Sequence, residues 1–582
     1  MHPDEGMLPL GVYRITEEVR AFFEDRLGPF NNYVNYPNAS KAKVAKICSA
    51  ACSALVADNN ADDDRRSHLT DATIVWPLWF PTRIRFHVHD MPSEAGWGPG
   101  RHAVVWVVGS NNLIQVKVVH VEPDSPARRL DVTAEAFRWS NLALQRAFTA
   151  HGRDIGIGHI AGICVRLVKA SAASDPVYEL VSLSSMYDNL QAGSIGHQVI
   201  DLVFSRPRPD ANQPLRLRDP PNLPQVDWTF SVQQQMIVLI PDQREAVRLG
   251  CSSMPIVGVQ VAFGTGKTLI GSLIAALSSD TPNTTVIVTT CTNAAVDQFT
   301  DTPDFSHLRV VRHISDSAAA ENRTPTDADL SKILKTLGDT FYNQLDFDER
   351  VVCADFRDHR QLLEDYLAHH KRVPEMSDGE REQFEIAEEY VSTTLRRMIR
   401  IIFKVYRPSV ICMTTASLLN STASRTGIFT LYIPSFRTII GDEGSQIPEP
   451  ALLAIAARFQ VARHIYNGDE HQLAPHAKCP HASNPVLHGA RGVMTTLSHA
   501  PGVPVAPLVT TFRAHPTLIE FPNTIAYSGT LVSGTLAEAR TLLLNSRIRF
   551  PSPGVPFTFI HMEDTSVQAI SKSHYNTVEG TV

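Results

Sequence analysis

The sequence predicts an α/β protein built on a parallel sheet with a glycine-rich turn, preceded by a β-rich region and interrupted by a helical one. Three observations lead to this fold class. Short, almost continuously apolar segments end in small, polar or acidic residues, which is typical of parallel strands covered on both faces. One of these segments runs through a glycine-rich turn into a helical pattern, VAFGTGKTLIGSLIAAL. A polar stretch with helical periodicity separates two groups of such strands.

The composition is that of a folded protein of several domains without a strong global charge. The chain has 582 residues, of which 43% are hydrophobic and 19% charged, and its formal net charge is -7. At about 150 residues per domain, this length predicts three or four domains. A slightly acidic chain has no global attraction for nucleic acid or for an anionic membrane, so a polyanion site would need a local basic surface. No apolar run reaches the roughly 18 residues of a membrane span, so no membrane partner is expected.

The eight cysteines are scattered along the chain without CxxC pairs. Cys48 and Cys52 lie four positions apart, and Cys479 lies near His476 and His481. Either group could be a fragment of a zinc site, but no second half with ligand spacing accompanies it, so structural or free thiols are preferred. The N-terminus also lacks the basic start and apolar run of a signal peptide. Together these features predict a cytoplasmic or nuclear protein.

The N-terminal region, residues 1–204, is predicted to be a β-rich, barrel-like accessory domain with some helix on either side. Runs rich in Val, Ile and aromatic residues alternate with polar, Gly or Pro breaks. These runs cover residues 73–80, 83–90, 103–110 and 114–122. Residues 205–230, dense in Pro and Arg, are predicted to be a linker.

The parallel-sheet domain is predicted in two parts, residues 231–304 and 409–505. Its apolar strands lie within residues 254–263, 284–292, 409–417, 436–446 and 461–473. The polar residues 305–408 between the two parts are predicted to be a helical insertion. There Ser377 and Glu380 form a capping-box pattern. Apolar residues spaced three and four apart then predict one buried helix stripe: Phe384, Ala387, Val391, Leu395, Met398, Ile402 and Val405.

The glycine-rich turn has the residues of a phosphate-binding loop. Such a loop needs backbone N–H groups curled around the phosphates, a lysine for their charge and a hydroxyl for Mg²⁺. The candidate residues are Gly264, Thr265, Gly266, Lys267 and Thr268. Val261 stands where the first glycine of the GxxxxGK[ST] pattern usually lies. The alternative is therefore a glycine-rich turn between strand and helix that binds nothing.

Three further segments carry residues suited to phosphate chemistry. Asp442 and Glu443 follow a predicted strand, where an aspartate can hold Mg²⁺ and a glutamate can orient or deprotonate a water. Gln472, after the next strand, could bond a γ-phosphate or the attacking water. Arg513 suits a γ-phosphate, and the aromatic Phe512 beside it suits stacking on a nucleobase. Each feature alone is more often ordinary structure, but their order along the chain is that of one nucleotide site.

The ordered set resembles the motifs of superfamily 1 helicases, most closely the up-frameshift branch that acts in nonsense-mediated decay. The resemblance covers residues 239–582. From the adenine-reading Q motif through motif IV, the matching segments are LIPDQREAV, VAFGTGKT, TTCTNAAVDQF, VICMTTAS, IIGDEGSQIPEP, GDEHQLAP and FRAHPTLIEFPNTIAYSGTL.

The resemblance implies a RecA-like fold for the sheet domain, with the β-rich and helical parts as its accessory domains. It further implies ATP and Mg²⁺ as cofactors and single-stranded RNA or DNA as partner, with 5′ to 3′ movement; we expect a monomer, and the sequence names no protein partner. The implied catalytic residues are Lys267, Glu443, Gln472 and Arg513. The implied nucleotide-binding residues are Gln243, Gly264, Thr265, Gly266, Lys267, Thr268 and Phe512, and the metal ligands are Thr268 and Asp442. The implied strand contacts are Thr292, Asn293, Thr414 and Thr415.

A basic run, Arg396, Arg397, Arg400 and Lys404, is a further candidate for strand contact, although a solvated helix face is the preferred interpretation.

The sequence departs from the pattern of the family in several places. Val261 replaces the first loop glycine, Gly441 an apolar or acidic residue, and Gly444 the usual alanine. Residues 506–582 are expected to be only the start of a second RecA-like domain, because such a domain needs about 150 residues. Motifs V and VI, with their γ-phosphate arginine, are missing, so we expect a truncated helicase that hydrolyses ATP poorly. The alternative is a catalytically inactive helicase-like scaffold that binds nucleic acid or protein.

Overall fold

The structure is a computed structural model, and it describes the chain in segments. These are residues 67–75, 83–89, 97, 102–107, 113–124, 129–136, 157–167, 190–204, 228–232, 235–279, 284–301, 308–314, 326–368, 378–423, 427–476, 491–546, 549–552, 554–559, 567–568 and 574–576.

The N-terminal strands close into an antiparallel barrel. They are β1 (Ser67–Val75), β2 (Arg83–His89), β3 (His102–Val107), β4 (Leu113–Asp124), β5 (Arg129–Ala136) and β6 (Ile157–Leu167). Their order is β1-β2-β5-β4-β3-β6, and β6 pairs back onto β1. Alternate residues of β2, Ile84, Phe86 and Val88, point into the core, as the two-residue period of a strand requires. The predicted barrel is confirmed, and only the start of the predicted 73–80 run lies in a described strand.

A short hairpin, β7 (Thr229–Val232) with β8 (Gln235–Val238), precedes the sheet domain. The predicted linker falls almost wholly on residues 205–227, which lie outside the described segments.

The second unit is a parallel sheet, which confirms the predicted α/β fold. Its described strands are β9 (Ile256–Val261), β10 (Thr285–Thr290), β11 (Val310–His313), β12 (Val410–Thr414), β13 (Phe436–Gly441), β14 (Arg463–Gly468) and β15 (Val505–Leu508). Their order is β11-β12-β10-β13-β14-β9-β15, with parallel pairing throughout. Every residue of β10 is buried, as expected for a strand covered on both faces. All carboxyl ends therefore meet at one edge.

Helices cover both faces of this sheet and form the insertion. They are α1 (Ile195–Phe204), α2 (Pro241–Gly250), α3 (Lys267–Ser278), α4 (Asn293–Asp301), α5 (Leu330–Thr340), α6 (Phe347–Ala368), α7 (Asp378–Val405), α8 (Thr415–Ser421), α9 (Glu449–Arg458), α10 (Val493–Ser498) and α11 (Pro516–Ile525). Within the segments described, no helix combines the length and the apolar content needed to cross a membrane.

The insertion consists of α5, α6 and α7, between β11 and β12. The predicted stripe on α7 is confirmed, because most of its residues are buried in one core and the other two, Phe384 and Leu395, pack against that core. Ser377 of the predicted capping box lies outside the described residues. The predicted basic run is exposed on α7, and Lys404 pairs with Glu349 at 2.8 Å.

Three predicted domain boundaries need correction. The helical insertion does not begin at 305, because β11 at Val310–His313 is an edge strand of the sheet. The first sheet domain does not end at 505, because β15 pairs with β9 along Val505–Leu508. Helix α1 falls within the predicted N-terminal domain, residues 1–204, but packs on α9 of the sheet domain. There the Gly196 N–H donates to the Gln460 carbonyl at 3.1 Å. Its missing side chain allows this approach, since a Cβ at Gly196 would lie 2.2 Å from the Ala456 carbonyl oxygen.

The segment after the sheet begins a second unit. β16 (Thr510–Thr511) runs parallel to β17 (Val532–Ser533), with α11 between them. This is a minimal βαβ unit, the expected opening of a second RecA-like domain. β18 (Val567–Gln568) and β19 (His574–Tyr575) form a further antiparallel pair.

His464, in strand β14, is fully buried and is expected to make the protein less stable in acid. Its Nδ1 lies 3.2 Å from the Tyr466 hydroxyl oxygen, and burial lowers its pKa from 6.5 to about 3. Below pH 6.5 the unfolded chain therefore binds a proton that the native state does not, so stability decreases as the pH falls towards 3. We expect this residue to lower the free energy of unfolding by about 2 kcal/mol between pH 7 and pH 5.

Urea unfolding at the two pH values measures this effect. Between pH 7 and pH 5, the neutral variant His464→Gln should lose about 2 kcal/mol less of its free energy of unfolding than the wild type. An equal loss in both proteins would show that His464 is not the cause.

Candidate functional site

A cavity of about 650 Å³ lies at the carboxyl edge of the sheet, where ligands of open α/β proteins bind. Predicted site residues from four of the motifs line it together. They are Gly264, Gly266, Lys267, Thr268, Glu443, Gln472, Phe512 and Arg513.

The glycine-rich turn adopts a conformation that needs its glycines. Gly264 has a φ of 71° and Gly266 a φ of 88°, both in the left-handed region that side chains disfavour. Gly266 caps helix α3, whose first residue is Lys267. The start of this helix lines the cavity, and because the first N–H groups of a helix have no partner within it, such a site suits an anion.

The turn also packs directly on the segment that carries Arg513. A Cβ added to Gly264 would lie 2.4 Å from the Cβ of Arg513. The N–H of Phe512 donates to the Gly264 carbonyl at 2.9 Å. The loop and the start of the second unit therefore form two walls of one cavity.

Val261, the unusual residue at the loop entrance, ends strand β9 in the hydrophobic core. It is 2% exposed and pairs with Leu508 of β15. Among described non-glycine residues, only Arg407, Glu443 and Ser528 have a positive φ, so Val261 does not need the freedom of glycine. A valine therefore fits at this position, because it packs as part of a regular strand and does not need a glycine backbone conformation.

Lys267 and Glu443 form an ion pair inside the cavity. Glu443 has a φ of 55°, an uncommon value for a residue with a side chain and typical of strained functional sites. The turn is fixed from behind, because the Gly444 N–H donates to the Asn467 carbonyl at 2.7 Å. An anion in the cavity would compete with Glu443 for the lysine.

Asp442 carries a buried carboxylate with an unsatisfied oxygen. It is 3% exposed, and its Oδ1 has no hydrogen-bond partner among the described residues. Burial raises its pKa to about 6, while the nearby Lys267 charge lowers it and Glu443 raises it. The unpartnered Asp442 oxygen and the Thr268 hydroxyl are both oxygen donors of the kind that Mg²⁺ prefers. Thr268 lines the cavity, whereas Asp442 is not one of its lining residues.

The described residues contain no cluster of three or more His, Cys, Asp or Glu that could hold a metal. A Mg²⁺ ion here would therefore take further oxygens from phosphate or water. The two candidate zinc fragments cannot be placed, since Cys48, Cys52, Cys479 and His481 lie outside the described segments.

Gln243 and Thr265 support the loop from behind and do not line the cavity. Both are buried. The Gln243 Nε2 donates to the Thr265 carbonyl at 3.0 Å, and the Thr265 hydroxyl donates to the Ala262 carbonyl at 2.9 Å. Next to them, the Asp242 Oδ2 accepts from two backbone N–H groups of residues 509–510, where the chain leaves the sheet. Of the predicted nucleotide-binding residues, Gln243 and Thr265 thus lie behind the cavity and not in its lining.

Comparison with known proteins finds one matching family and several related sequences. A family described as an AAA domain matches residues 239–479, from the Q motif to motif III. The chain is 25% identical over 306 residues to the "Regulator of nonsense transcripts 1 homolog" of Drosophila melanogaster, covering 53% of this chain and 22% of that protein. It is 25% identical over 367 residues to the "ATP-dependent helicase NAM7" of Saccharomyces cerevisiae, covering 63% and 31%. The resemblance to the up-frameshift branch of superfamily 1 helicases is confirmed.

A shorter match, 32% identical over 111 residues, is to the "5'-3' DNA helicase ZGRF1" of Mus musculus and covers 19% of this chain and 6% of that protein. The matched regions thus span less than a third of each of these relatives.

The strand contacts predicted for motifs Ia and Ic lie at the same edge, outside the residues that line the cavity. Thr292 and Asn293 follow β10, and Thr414 ends the neighbouring β12. Thr292 is exposed, and its hydroxyl accepts from the Ala295 N–H at 3.2 Å. Thr415 differs, because its side chain is buried and its hydroxyl donates to the Thr290 carbonyl at 3.2 Å. Its hydroxyl therefore joins the start of α8 to the end of β10 and is not presented to a ligand.

Gly441 departs from the motif II pattern because a neighbouring tyrosine fills its side-chain space. Gly441 lies opposite Tyr466 in the β13–β14 ladder. A Cβ at Gly441 would lie 2.3 Å from Cδ1 of that ring. At Gly444 the closest atoms would be 3.2 Å away, so an alanine there needs only a small shift.

Two polar residues that line the cavity, Gln298 and Arg540, escaped the sequence analysis. Gln298 lies on α4 within the motif Ia segment, so a signal existed but nothing singled it out. Arg540 lies beyond the motif IV match, and no pattern pointed to it. Its Nη2 donates to the Phe512 carbonyl at 2.8 Å, which ties down the backbone of the motif IV arginine segment.

Proposed function

We propose that this chain binds ATP with Mg²⁺ in the cavity and couples ATP hydrolysis to movement along single-stranded RNA or DNA, as a helicase or translocase. The observation that carries the proposal is the convergence of Lys267, Glu443, Gln472 and Arg513 on one cavity at the carboxyl edge of a parallel sheet. The names of two relatives, an ATP-dependent helicase and a 5'-3' DNA helicase, support the activity and the 5′ to 3′ direction.

The loop and the start of α3 are proposed to hold the phosphates. Lys267 exchanges its pairing with Glu443 for the β- and γ-phosphates, and the loop N–H groups bind their oxygens. Thr268 and Asp442 would hold Mg²⁺, which neutralises phosphate charge when bound. Gln243 acts through the Thr265 carbonyl and keeps the loop in its binding conformation.

The other cavity residues are proposed to act on the γ-phosphate and the base. Once released by Lys267, Glu443 orients and deprotonates the attacking water. Gln472 also contacts this water, and the Arg513 guanidinium stabilises charge on the transferred group. Phe512 offers a ring on which the base can stack.

The single strand is proposed to cross the edge formed by β10 and β12, over Thr292, Asn293 and Thr414. Contacts to the sugar-phosphate track do not select between RNA and DNA. Both must therefore be tested as partners. We further propose a monomer that acts in the cytoplasm or nucleus.

The metal part of the proposal is tested by nucleotide binding with and without Mg²⁺. A fluorescent ATP analogue should bind at least about tenfold more tightly with Mg²⁺ than with a chelator. Asp442→Asn should lose most of this difference and stay folded, because it removes a buried charge that has an unsatisfied oxygen. Asp327→Asn, at an exposed ion pair with Lys332, is the matched control and should behave like the wild type. Binding that is independent of both Mg²⁺ and Asp442 would refute the assignment.

Phosphate release tests the coupling to nucleic acid. The turnover number for ATP should increase when single-stranded RNA or DNA is added. Comparing the increase with RNA and with DNA identifies the nucleic-acid partner. Nucleotide binding without stimulation by either strand would favour the inactive scaffold.

A further inference from the structure

We propose that Asp469 and Tyr527 are positioning residues for Gln472, which hold its side-chain amide in one orientation towards the γ-phosphate end of the cavity. This inference rests on the proposed function, because it assigns the support of a residue in that same site. It concerns a hydrogen-bond cluster between the sheet domain and the segment after α11.

Asp469 is the centre of the cluster. It directly follows β14 and is 3% exposed. Its Oδ1 accepts from the Gln260 Nε2 and from the His471 N–H, each at 3.1 Å. Its Oδ2 accepts from the Gln472 Nε2 at 2.8 Å and from the Tyr527 hydroxyl at 2.5 Å. Four hydrogen-bond donors satisfy the two oxygens of this buried carboxylate, so the Asp469 side chain is held in one position.

This arrangement determines which end of the Gln472 amide faces the cavity. A carboxylate only accepts hydrogen bonds, so only the NH₂ end of the amide can face Asp469. The amide oxygen, Oε1, is then the atom left for a ligand in the cavity. An oxygen acceptor at that point suits the O–H of an attacking water. A freely rotating amide would offer its NH₂ group as often as its oxygen.

Tyr527 provides the contact from the second unit. Its ring meets the His471 ring edge-to-face at 4.8 Å and the Phe263 ring at 6.0 Å, so it lies between motif III and the phosphate loop. Burial raises its pKa, as do the hydrogen bond to Asp469 and the Asp469 charge, while a hydrogen bond with Gln472 opposes the shift. The hydroxyl therefore stays protonated and donates to Asp469.

The origin of Tyr527 gives the cluster its functional meaning. Tyr527 follows α11, whereas Asp469 and Gln472 follow β14 of the sheet domain. The orientation of Gln472 therefore depends on where the second unit sits. A movement of that unit away from the sheet would break the 2.5 Å contact and release one of the groups that hold Asp469 in place.

The test is Tyr527→Phe, which removes only the hydroxyl and keeps both ring contacts. Three donors to Asp469 remain, so the variant should fold with an unchanged melting temperature. We expect the turnover number for ATP to fall about tenfold, with KM and ADP affinity unchanged within about a factor of two. The preference for a non-hydrolysable ATP analogue over ADP should fall about fivefold, because the water that donates to the Gln472 oxygen donates its other hydrogen to the γ-phosphate, which ADP lacks. Tyr342→Phe, at an exposed ring in the insertion, is the matched control and should match the wild type.

Asp469→Asn is the second variant. An asparagine can donate as well as accept, so it no longer fixes the Gln472 orientation, and we expect the same loss of turnover and of γ-phosphate preference.

The outcomes separate the two proposals. A wild type that binds no nucleotide would overturn the proposed function. A wild type that binds nucleotide while Tyr527→Phe keeps full turnover and full γ-phosphate preference would overturn this inference alone. Equal weakening of ADP and ATP-analogue binding in Tyr527→Phe would also overturn it, because the tyrosine would then only shape the cavity. If the wild type binds nucleotide but does not hydrolyse ATP, the effect of Tyr527→Phe on the preference for the ATP analogue over ADP tests this inference.

Discussion

Replacing Glu443 with glutamine is expected to lower the turnover number of ATP hydrolysis by about 10³ while nucleotide remains bound. Glutamine has the same size, so the left-handed turn at a φ of 55° is kept, but it cannot accept a proton from water. The substitution also frees Lys267 from its ion pair, so the affinity for ATP should be unchanged or higher. Single-turnover phosphate release and binding of a fluorescent ATP analogue measure the two effects separately.

The reciprocal variant tests the same ion pair from the other side. Lys267→Ala should weaken nucleotide binding by about 100-fold and abolish turnover, because the phosphates lose their cation while Glu443 remains in the cavity. Lys332→Ala, at an exposed ion pair with Asp327, is the control for loss of a lysine elsewhere. Unchanged turnover in Lys267→Ala would refute the mechanism, and full activity in Glu443→Gln would remove Glu443 as the base.

Much of the cavity could be predicted from the sequence because its residues lie in ordered motifs at strand ends. Lys267, Glu443, Gln472 and Arg513 meet in the structure because parallel strands bring their carboxyl ends to one edge. The support behind these residues could not be predicted. The Tyr527 hydroxyl bonds a carboxylate far away in the chain, and only the tertiary fold brings the two together.

The missed strands have a clear physical cause. β11 contains Arg312, whose charge is buried and paired with Asp297 and Asp329, so the segment lacks a continuous apolar pattern. β15 contains Pro507, which is tolerated because β15 lies at the edge of the sheet. Both strands are only four residues long. Periodicity identifies buried central strands, whereas edge strands depend on contacts that a local pattern does not record.

Gly441→Ala is expected to lower the free energy of unfolding by about 3 kcal/mol, the upper end for overpacking a buried site. The added Cβ would lie 2.3 Å and 2.6 Å from two atoms of the Tyr466 ring, and Tyr466 is fully buried. Gly379→Ala, where an added Cβ meets nothing within 4 Å, is the matched control and should be neutral or slightly stabilising. Urea unfolding of both variants measures the difference.

A double-mutant cycle shows whether Tyr466 is the cause. Tyr466→Val opens space beside Gly441, so Gly441→Ala should cost about 2 kcal/mol less in that background than in the wild type. The same cost in both backgrounds would place the strain elsewhere. A positive coupling would mean that the glycine beside Asp442 is compensated by a larger residue on the next strand. Since Asp442, the proposed metal ligand, directly follows Gly441, the departure at Gly441 would then reflect repacking of the sheet and not the loss of a nucleotide site.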